Sequence, residues 1–209
     1  MSKRGIVTVI SGFSGAGKGT VVAKLVEKYG YALSISDTTR KPRPGEQEGV
    51  HYFYKSVNEF KELIAGNGLL EWARYVDNYY GTPREYVEKK LDEGIDVILE
   101  IEVQGGLQVK SNLKDSVLLF MAPPSAEELK NRLVNRGTED KDTIRKRLER
   151  AGEEIRYINA YDYLVINDDI EECALNIHNI IQNEKKKLIH NSELCDVIKT
   201  DYMNIGKEI

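Results

Sequence analysis

Cysteine and histidine are scarce in this sequence, and their scarcity excludes several kinds of site. The two cysteines, Cys173 and Cys195, lack the spacing of a metal site, and the three histidines are scattered along the chain. We therefore expect free thiols in a reducing compartment, with a disulfide as the less favoured alternative. Neither a metal cluster nor a histidine-based catalytic triad is predicted.

Long apolar runs and a surplus of positive charge are also missing. The first apolar run, Ile6–Ile10, is too short for the core of a signal peptide, and no stretch approaches membrane-spanning length. The formal net charge is −4, so general nucleic-acid binding is not expected. We predict a cytoplasmic protein that holds any bound phosphates with locally placed arginines.

The sequence does contain a glycine-rich segment, Ser11–Thr20, between an apolar run and a helical apolar pattern. Its glycines, Gly12, Gly15 and Gly17, allow the backbone to curl so that several N–H groups point at one anion. The helix that follows adds partial positive charge at its N-terminus, and Lys18 adds a full charge. This context predicts a nucleotide phosphate-binding loop rather than a plain tight turn.

The loop departs from the usual pattern at one position. The pattern G-x-x-x-x-G-K-[ST] has a hydroxyl residue directly after the lysine, where it ligates magnesium. Here Gly19 occupies that position and Thr20 follows. The metal ligands therefore stay open, with the hydroxyl of Thr20 as a candidate.

Strand-like apolar runs alternate with helical patterns along the chain. Strands are predicted at Ala32–Ser36, Ile95–Glu102, Ser116–Met121 and Tyr163–Asn167. Together with the run before the loop, they predict an α/β protein, a three-layer fold with a five-stranded, mostly parallel sheet. The last predicted helix ends near residue 190, and residues 191–209 show no clear pattern.

Residues 37–82 have the pattern of a small, tyrosine-rich α+β insertion, whose tyrosines are explained as well by a core as by a site. The loop 37–46 concentrates basic residues among prolines. Alone it indicates a solvated loop, but beside a nucleotide site it is a candidate clamp for a second phosphate. Ser56 and Thr82, each followed three residues later by glutamate, predict capping boxes that begin helices.

Charged residues mark two further places. Glu100 and Glu102 end a predicted strand, where ligands of parallel sheets bind; a buried structural acid is the alternative. The stretch 136–157 is rich in basic residues. Arg136, between a helix end and a glycine, is well placed on a movable flap. We expect most of the other basic residues to form an exposed, salt-bridged helix.

These motifs resemble those of the guanylate kinases, in order, from about residue 3 to residue 190. The matching segments are Ser11–Thr20, Ser36–Glu46, Glu71-Trp72-Ala73, Asn78-Tyr79-Tyr80-Gly81, Leu99–Gly105, Pro123-Pro124-Ser125, Arg136-Gly137-Thr138-Glu139 and Val165–Asp169.

The resemblance implies that the terminal phosphoryl group of MgATP is transferred to GMP, with dGMP as a second expected acceptor. Magnesium would be held mainly by the nucleotide phosphates. ATP and GMP would be the only partners, with no nucleic acid or membrane, and the oligomeric state stays open. The implied parts are a core nucleotide-binding domain (1–36, 83–124 and 157–190), a GMP-binding domain (37–82), a lid (125–156) and a C-terminal extension of unknown role (191–209).

The resemblance also implies roles for matching residues. The catalytic residues would be Lys18, Arg136 and Arg147. ATP would be bound by Gly12, Phe13, Ser14, Gly15, Ala16, Gly17, Lys18, Gly19, Thr20 and Asn167. GMP would be bound by Ser36, Arg40, Arg43, Tyr52, Glu71, Tyr80, Thr82, Glu100 and Glu102.

Two of the implied GMP ligands have particular chemistry. Guanine presents a ring N–H and an exocyclic amine side by side, and the carboxylate of Glu71 can accept both. Adenine has an unprotonated nitrogen there, which predicts a selectivity of roughly 10³-fold or more against AMP. Glu102 stands where the family usually has aspartate, so its role is the least secure.

Two rival functions stay open. The first is a non-catalytic guanylate-kinase-like module that binds a phosphorylated protein; such modules lose the phosphate loop, whereas Lys18 and its glycines are intact here. The second is a phosphate-loop kinase of AMP or a small phosphorylated sugar. Glu71 with Ser36 favours guanine.

Overall fold

A computed structural model describes residues 4–75, 77–135 and 140–205 of the protein. The strands in these ranges are β1 (Val7–Gly12), β2 (Ala32–Leu33), β3 (Asp37–Thr38), β4 (Phe53–Tyr54), β5 (Leu69–Tyr75), β6 (Asn78–Pro83), β7 (Val97–Glu100), β8 (Val117–Ala122) and β9 (Tyr163–Ile166). The helices are α1 (Lys18–Tyr29), α2 (Val57–Ala65), α3 (Arg84–Asp92), α4 (Val103–Asn112), α5 (Ala126–Asn135), α6 (Lys141–Glu154), α7 (Ile170–Glu184) and α8 (Ser192–Asn204).

The main sheet has five parallel strands in the order β2-β7-β1-β8-β9. Every residue of the central strand β1 is buried, which explains its continuous apolar run, because a strand covered on both faces has no solvent side. The predicted α/β fold with a five-stranded parallel sheet is confirmed. Since the strands are parallel, β1, β7, β8 and β9 end at one edge, where the phosphate loop begins.

Helices cover both faces of this sheet. On one face, α1 and α7 pack together through Leu25 and Ile177, over Ile10 of β1. On the other face, Val87 of α3 and Val109 of α4 lie in the cluster that contains Val9. Alternate residues of the same strand thus contribute to two separate cores, as the three-layer arrangement requires.

A second, four-stranded sheet lies within residues 37–83, in the order β4-β3-β6-β5. Helix α2 packs on it through the fully buried Phe60, whose ring stacks on Tyr79 with 5.3 Å between centroids. Helix α2 has the predicted capping box, in which Ser56 and Glu59 exchange hydrogen bonds. The predicted strand 32–36 is wrong in its extent, because β2 ends at Leu33 and the chain passes to the second sheet.

Two other predictions are corrected. Thr82 does not cap a helix: it lies in β6, and α3 begins at Arg84 without a side-chain cap. Residues after 190 do have regular structure, since α8 continues from a short 3₁₀ turn at Leu188–Asn191. Several apolar residues of α8 are exposed, including Tyr202 at 79%. Its pattern was missed because these side chains do not face the core.

Two smaller expectations concern cysteines and membrane segments. Cys173 is buried, Cys195 is half-buried, and both are free thiols, as expected. Within the described ranges, no helix is long and apolar enough to cross a membrane.

Candidate active site

The phosphate loop joins β1 to α1, and two of its glycines are required by their surroundings. Gly12 has φ +132°, and a Cβ there would lie 2.0 Å from the carbonyl oxygen of Met121. Gly17 has φ +88°, and a Cβ there would lie 2.6 Å from Nδ2 of Asn167. Larger residues would therefore be strained in backbone conformation and would also collide with neighbours.

Lys18 is the first residue of α1, and its side chain folds back over the loop. Its Nζ donates hydrogen bonds to the carbonyl oxygens of Gly12, at 2.7 Å, and Phe13, at 3.1 Å. Burial lowers the pKa of Lys18, while the nearby carboxylates of Glu102 and Glu100 oppose that shift. The ammonium group is thus held at the mouth of the loop.

Asn167 ties the loop to the far end of the sheet. It follows β9 and is almost fully buried. Its Nδ2 donates a 2.7 Å hydrogen bond to the carbonyl oxygen of Ala16. Its side chain therefore contacts the loop itself, a support that the sequence did not reveal.

The position after Lys18 faces a carboxylate. A Cβ at Gly19 would lie 3.6 and 3.7 Å from the two carboxylate oxygens of Glu100, which is ordinary contact. Desolvation raises the pKa of Glu100, and Lys18 opposes the shift. Thr20 is exposed in the first turn of α1. Glu100, Gly19 and Lys18 therefore meet at one edge of the sheet, as the parallel topology predicts.

Glu71 and Thr82 form a buried pair in the second sheet. Oγ1 of Thr82 donates a 2.7 Å hydrogen bond to Oε1 of Glu71. Both side chains are buried, and burial raises the pKa of Glu71 while Thr82 opposes the shift. A Cβ at Gly105 would lie 2.9 Å from Oε2 of Glu71, so α4 approaches the carboxylate closely. Ser36 is half-buried just before β3.

A second cluster surrounds Arg40. Its guanidinium binds both carboxylate oxygens of Glu46, at 2.8 and 2.9 Å, and lies over the ring of Tyr52 at 5.2 Å. The rings of Tyr52 and Tyr80 are in edge contact at 6.0 Å. The predicted phosphate ligands Arg40, Tyr52 and Tyr80 are thus brought together. The side chain of Arg43 is exposed, and its backbone N–H donates to Glu46.

Glu46 is a functional candidate that sequence reasoning missed. It accepts hydrogen bonds from Arg40, from the backbone of Arg43 and from the hydroxyl of Tyr54. These donors, Arg40 foremost, hold its pKa at about 2. The sequence signal for Glu46 was its position in the basic loop 37–46, where a carboxylate can orient an arginine.

Two predicted catalytic arginines remain. Arg147 is half-buried on helix α6, and Arg136 lies outside the described residues. Arg150, which the sequence did not single out, contacts Oε2 of Glu102 at 2.9 Å and Oε1 of Glu154 at 3.2 Å. Glu154 has a side-chain exposure of only 2%. Arg150 is therefore an exception to the expectation of a merely solvated helix.

The parallel sheet, the curled glycine loop and the lysine at the start of α1 define a phosphate-loop nucleotide-binding protein. The sequence also matches the family model described as guanylate kinase over residues 4–184. The chain therefore belongs to the guanylate kinase family, and the resemblance seen in its motifs is confirmed.

Individual relatives agree with this assignment. A guanylate kinase from Caldanaerobacter subterraneus subsp. tengcongensis is 50% identical over 195 residues, which cover 93% of this chain and 95% of the relative. One from Bacillus cereus is 55% identical over 185 residues, 88% of this chain and 90% of the relative. The crystal structure of guanylate kinase from Anaplasma phagocytophilum has a TM-score of 0.69 at 35% identity, with 89% of each chain covered.

Proposed function

We propose that this protein transfers the terminal phosphoryl group of ATP to GMP, giving ADP and GDP. The observation that carries the proposal is the intact phosphate loop with Lys18, in a chain of the guanylate kinase family. A binding module without catalysis would not need this lysine. dGMP is proposed as a second acceptor and the cytoplasm as the location, where both nucleotides are available.

We assign recognition of guanine to Glu71, with Thr82 and Ser36 as further readers. The hydroxyl of Thr82 occupies one carboxylate oxygen and orients the group. A buried carboxylate needs donors for its remaining lone pairs, which the Watson–Crick edge of guanine supplies and that of adenine does not. AMP would leave Glu71 facing a lone pair, so selection against it should be about 10³-fold.

We assign the phosphate of GMP to Arg40, Arg43, Tyr52 and Tyr80. Arg40 is already oriented by Glu46 and by the ring of Tyr52. An arginine held in this way loses little side-chain entropy when phosphate binds, since its planar fork is preorganised. Glu100 and Glu102 complete the proposed acceptor side.

Phosphoryl transfer needs two anions in line and positive charge where negative charge gathers. The loop amides and the N-terminus of α1 face the donor phosphates, and Lys18 adds a charge that can follow the transferred group. Arg147 is proposed to close over them from α6. Arg136 has the same proposed role, although it lies outside the described residues.

Magnesium fits this site on the chemistry of its donors. Glu100, beside Gly19, and the hydroxyl of Thr20 offer oxygen ligands, which Mg²⁺ prefers. Within the described ranges, no cluster of three or more histidine, cysteine or acidic side chains could hold a metal ion. The ion would therefore be held mainly by nucleotide phosphates, and it supplies charge neutralisation when bound.

We propose that the chain has the three functional parts that the family implies. Residues 1–36, 83–124 and 157–190 form the core that binds ATP, residues 37–82 bind GMP, and residues 125–156 form the lid. Lid closure would exclude water, which otherwise accepts the phosphoryl group.

A coupled ADP-release assay with MgATP tests the proposal, with GMP, dGMP, AMP, CMP and UMP as acceptors. We expect turnover with GMP and dGMP only. Turnover with AMP would contradict the role of Glu71. The absence of turnover with every acceptor, in folded protein, would favour the binding module.

A further inference from the structure

Arg150 connects two parts of the chain that are distant in sequence. It lies on α6, and its guanidinium reaches Glu102, the residue just before α4, at 2.9 Å. It also reaches Glu154, one turn further along α6, at 3.2 Å. One arginine thus contacts two carboxylates beside the phosphate loop. The planar guanidinium suits this bridging contact, which the compact ammonium of lysine would satisfy less completely.

The surroundings of Lys18 are unusually acidic for a site that receives phosphates. Glu102, Glu100 and Glu154 all act electrostatically on Lys18, and Arg150 is the other cation acting on it. Burial and the nearby carboxylate of Glu102 raise the pKa of Glu154, while Lys18 and Arg150 oppose that shift. An incoming polyphosphate therefore approaches three carboxylates, two of which are paired with Arg150.

We propose that Arg150 is a positioning residue for the donor nucleotide, which pairs with Glu102 and Glu154 so that the phosphate loop accepts a polyanion. The proposal rests on the proposed function, because the anion in question is the ATP triphosphate. Arg150 acts through the two carboxylates and does not contact the nucleotide. Without it, their negative charges face the phosphates at close range, where repulsion is only partly screened.

The carboxylate of Glu102 is held toward α6, since its Oε2 lies 2.9 Å from the guanidinium of Arg150. The carboxylate of Glu154 is nearly fully buried, so it has little freedom to turn away from Arg150.

The test is the affinity for a non-hydrolysable ATP analogue, measured by calorimetry on the full chain without GMP. Arg150→Gln should weaken binding by about fivefold, the order expected for one uncompensated charge near a partly solvated site. The loss should shrink to less than twofold at 0.5 M salt, because screening acts on repulsion.

Arg145→Gln is the matched control. Arg145 lies on the same helix and also contacts two acidic residues, Asp142 at 3.6 Å and Glu149 at 3.8 Å, but it does not act on Lys18. Arg145→Gln removes the same positive charge as Arg150→Gln, and we expect it to leave the affinity for the ATP analogue unchanged. Equal effects of the two substitutions would overturn the proposal, because the effect would then come from net charge alone.

A double variant separates the proposed role from direct contact with phosphate. In a Glu102→Gln background, Arg150→Gln should weaken binding only about twofold, since one of the exposed charges is gone. An undiminished fivefold loss would contradict the proposal and indicate that Arg150 binds phosphate itself. Circular dichroism confirms that each variant is folded. A failure of the proposed function would appear separately, as wild-type protein that does not phosphorylate GMP.

Discussion

The phosphate loop and the proposed GMP-phosphate cluster around Arg40 in the second sheet are built from different parts of the chain. In the loop, backbone amides and the start of α1 form the site, and glycines at positive φ make it possible. In the second sheet, side chains form it: Arg40 is held by Glu46 and covers Tyr52.

The difference teaches which kinds of change each region tolerates. A backbone site fails when a Cβ is added or when the helix start moves, whereas a side-chain site fails when one partner of an ion pair is removed. The loop also depends on a distant support, Asn167, whereas the ion pair between Arg40 and Glu46 joins residues only six positions apart.

The largest expected effect is at Lys18. Lys18→Ala should lower turnover by on the order of 10³-fold, because the charge that follows the transferred phosphoryl group is lost. GMP binding, which uses the second sheet, should survive. Steady-state kinetics and GMP titration measure the two effects. The control is Lys24→Ala, a lysine of the same helix that pairs with Glu27 and Glu171 instead of contacting the loop. Near-normal turnover of Lys18→Ala would show that phosphoryl transfer does not need the lysine of the loop.

The second effect tests the acceptor side. Glu71→Gln should weaken GMP binding by about 10²-fold and leave ATP affinity within twofold, since the amide replaces one acceptor by a donor. Calorimetric titrations with GMP and with a non-hydrolysable ATP analogue measure the two affinities. Equal losses for GMP and ATP would show that Glu71 does not read the base.

The third prediction, a substitution at Gly17, separates the cost of backbone strain from the loss of ATP binding. Gly17→Ala should weaken ATP binding by about tenfold and lower the free energy of unfolding by about 1–2 kcal/mol, owing to its positive φ. Gly30→Ala is the matched control, because Gly30 has φ +73° in open space. Gly30→Ala should lower the free energy of unfolding through backbone strain alone, without the collision with Asn167, and should leave ATP binding unchanged. Urea denaturation and calorimetry give the two values.

The smallest effect concerns Glu46. Glu46→Gln should weaken GMP binding by about fivefold, because Arg40 is no longer oriented. Glu48→Gln, in the same loop, should have little effect.

Glu46 also has a pH signature. Its folded-state pKa of about 2 lies below the ordinary 4.5, so its ion pair stabilises the fold fully above pH 4.5, and the contribution is lost as pH falls towards 2. The stability difference between wild type and Glu46→Gln should therefore vanish over that range, as thermal melts at stepped pH would show. A difference that persists at pH 2 would contradict the pairing.

Local signals in the sequence were enough for the main sheet and the phosphate loop. A fully buried parallel strand is a continuous apolar run, and the loop glycines mark a turn, so β1, the loop and α1 follow from neighbouring residues.

Contacts between distant residues were not predictable in this way. Thr82 precedes a glutamate by three residues and so predicts a cap, yet its hydroxyl binds Glu71, which only the pairing of β5 with β6 brings near. Arg150 and Glu102 are 48 positions apart in sequence and meet only in the folded chain. The roles of Arg147 and Arg136 in closure stay predictions.

The hydrogen bond from Asn167 to Ala16 has a consequence for protein synthesis. The loop leaves the ribosome early, but the side chain that secures it is 151 residues further along the chain. A nascent chain therefore carries the loop sequence long before the loop is complete. A chain that ends before β9 has the whole loop sequence but lacks the amide of Asn167, so its loop would be held less firmly.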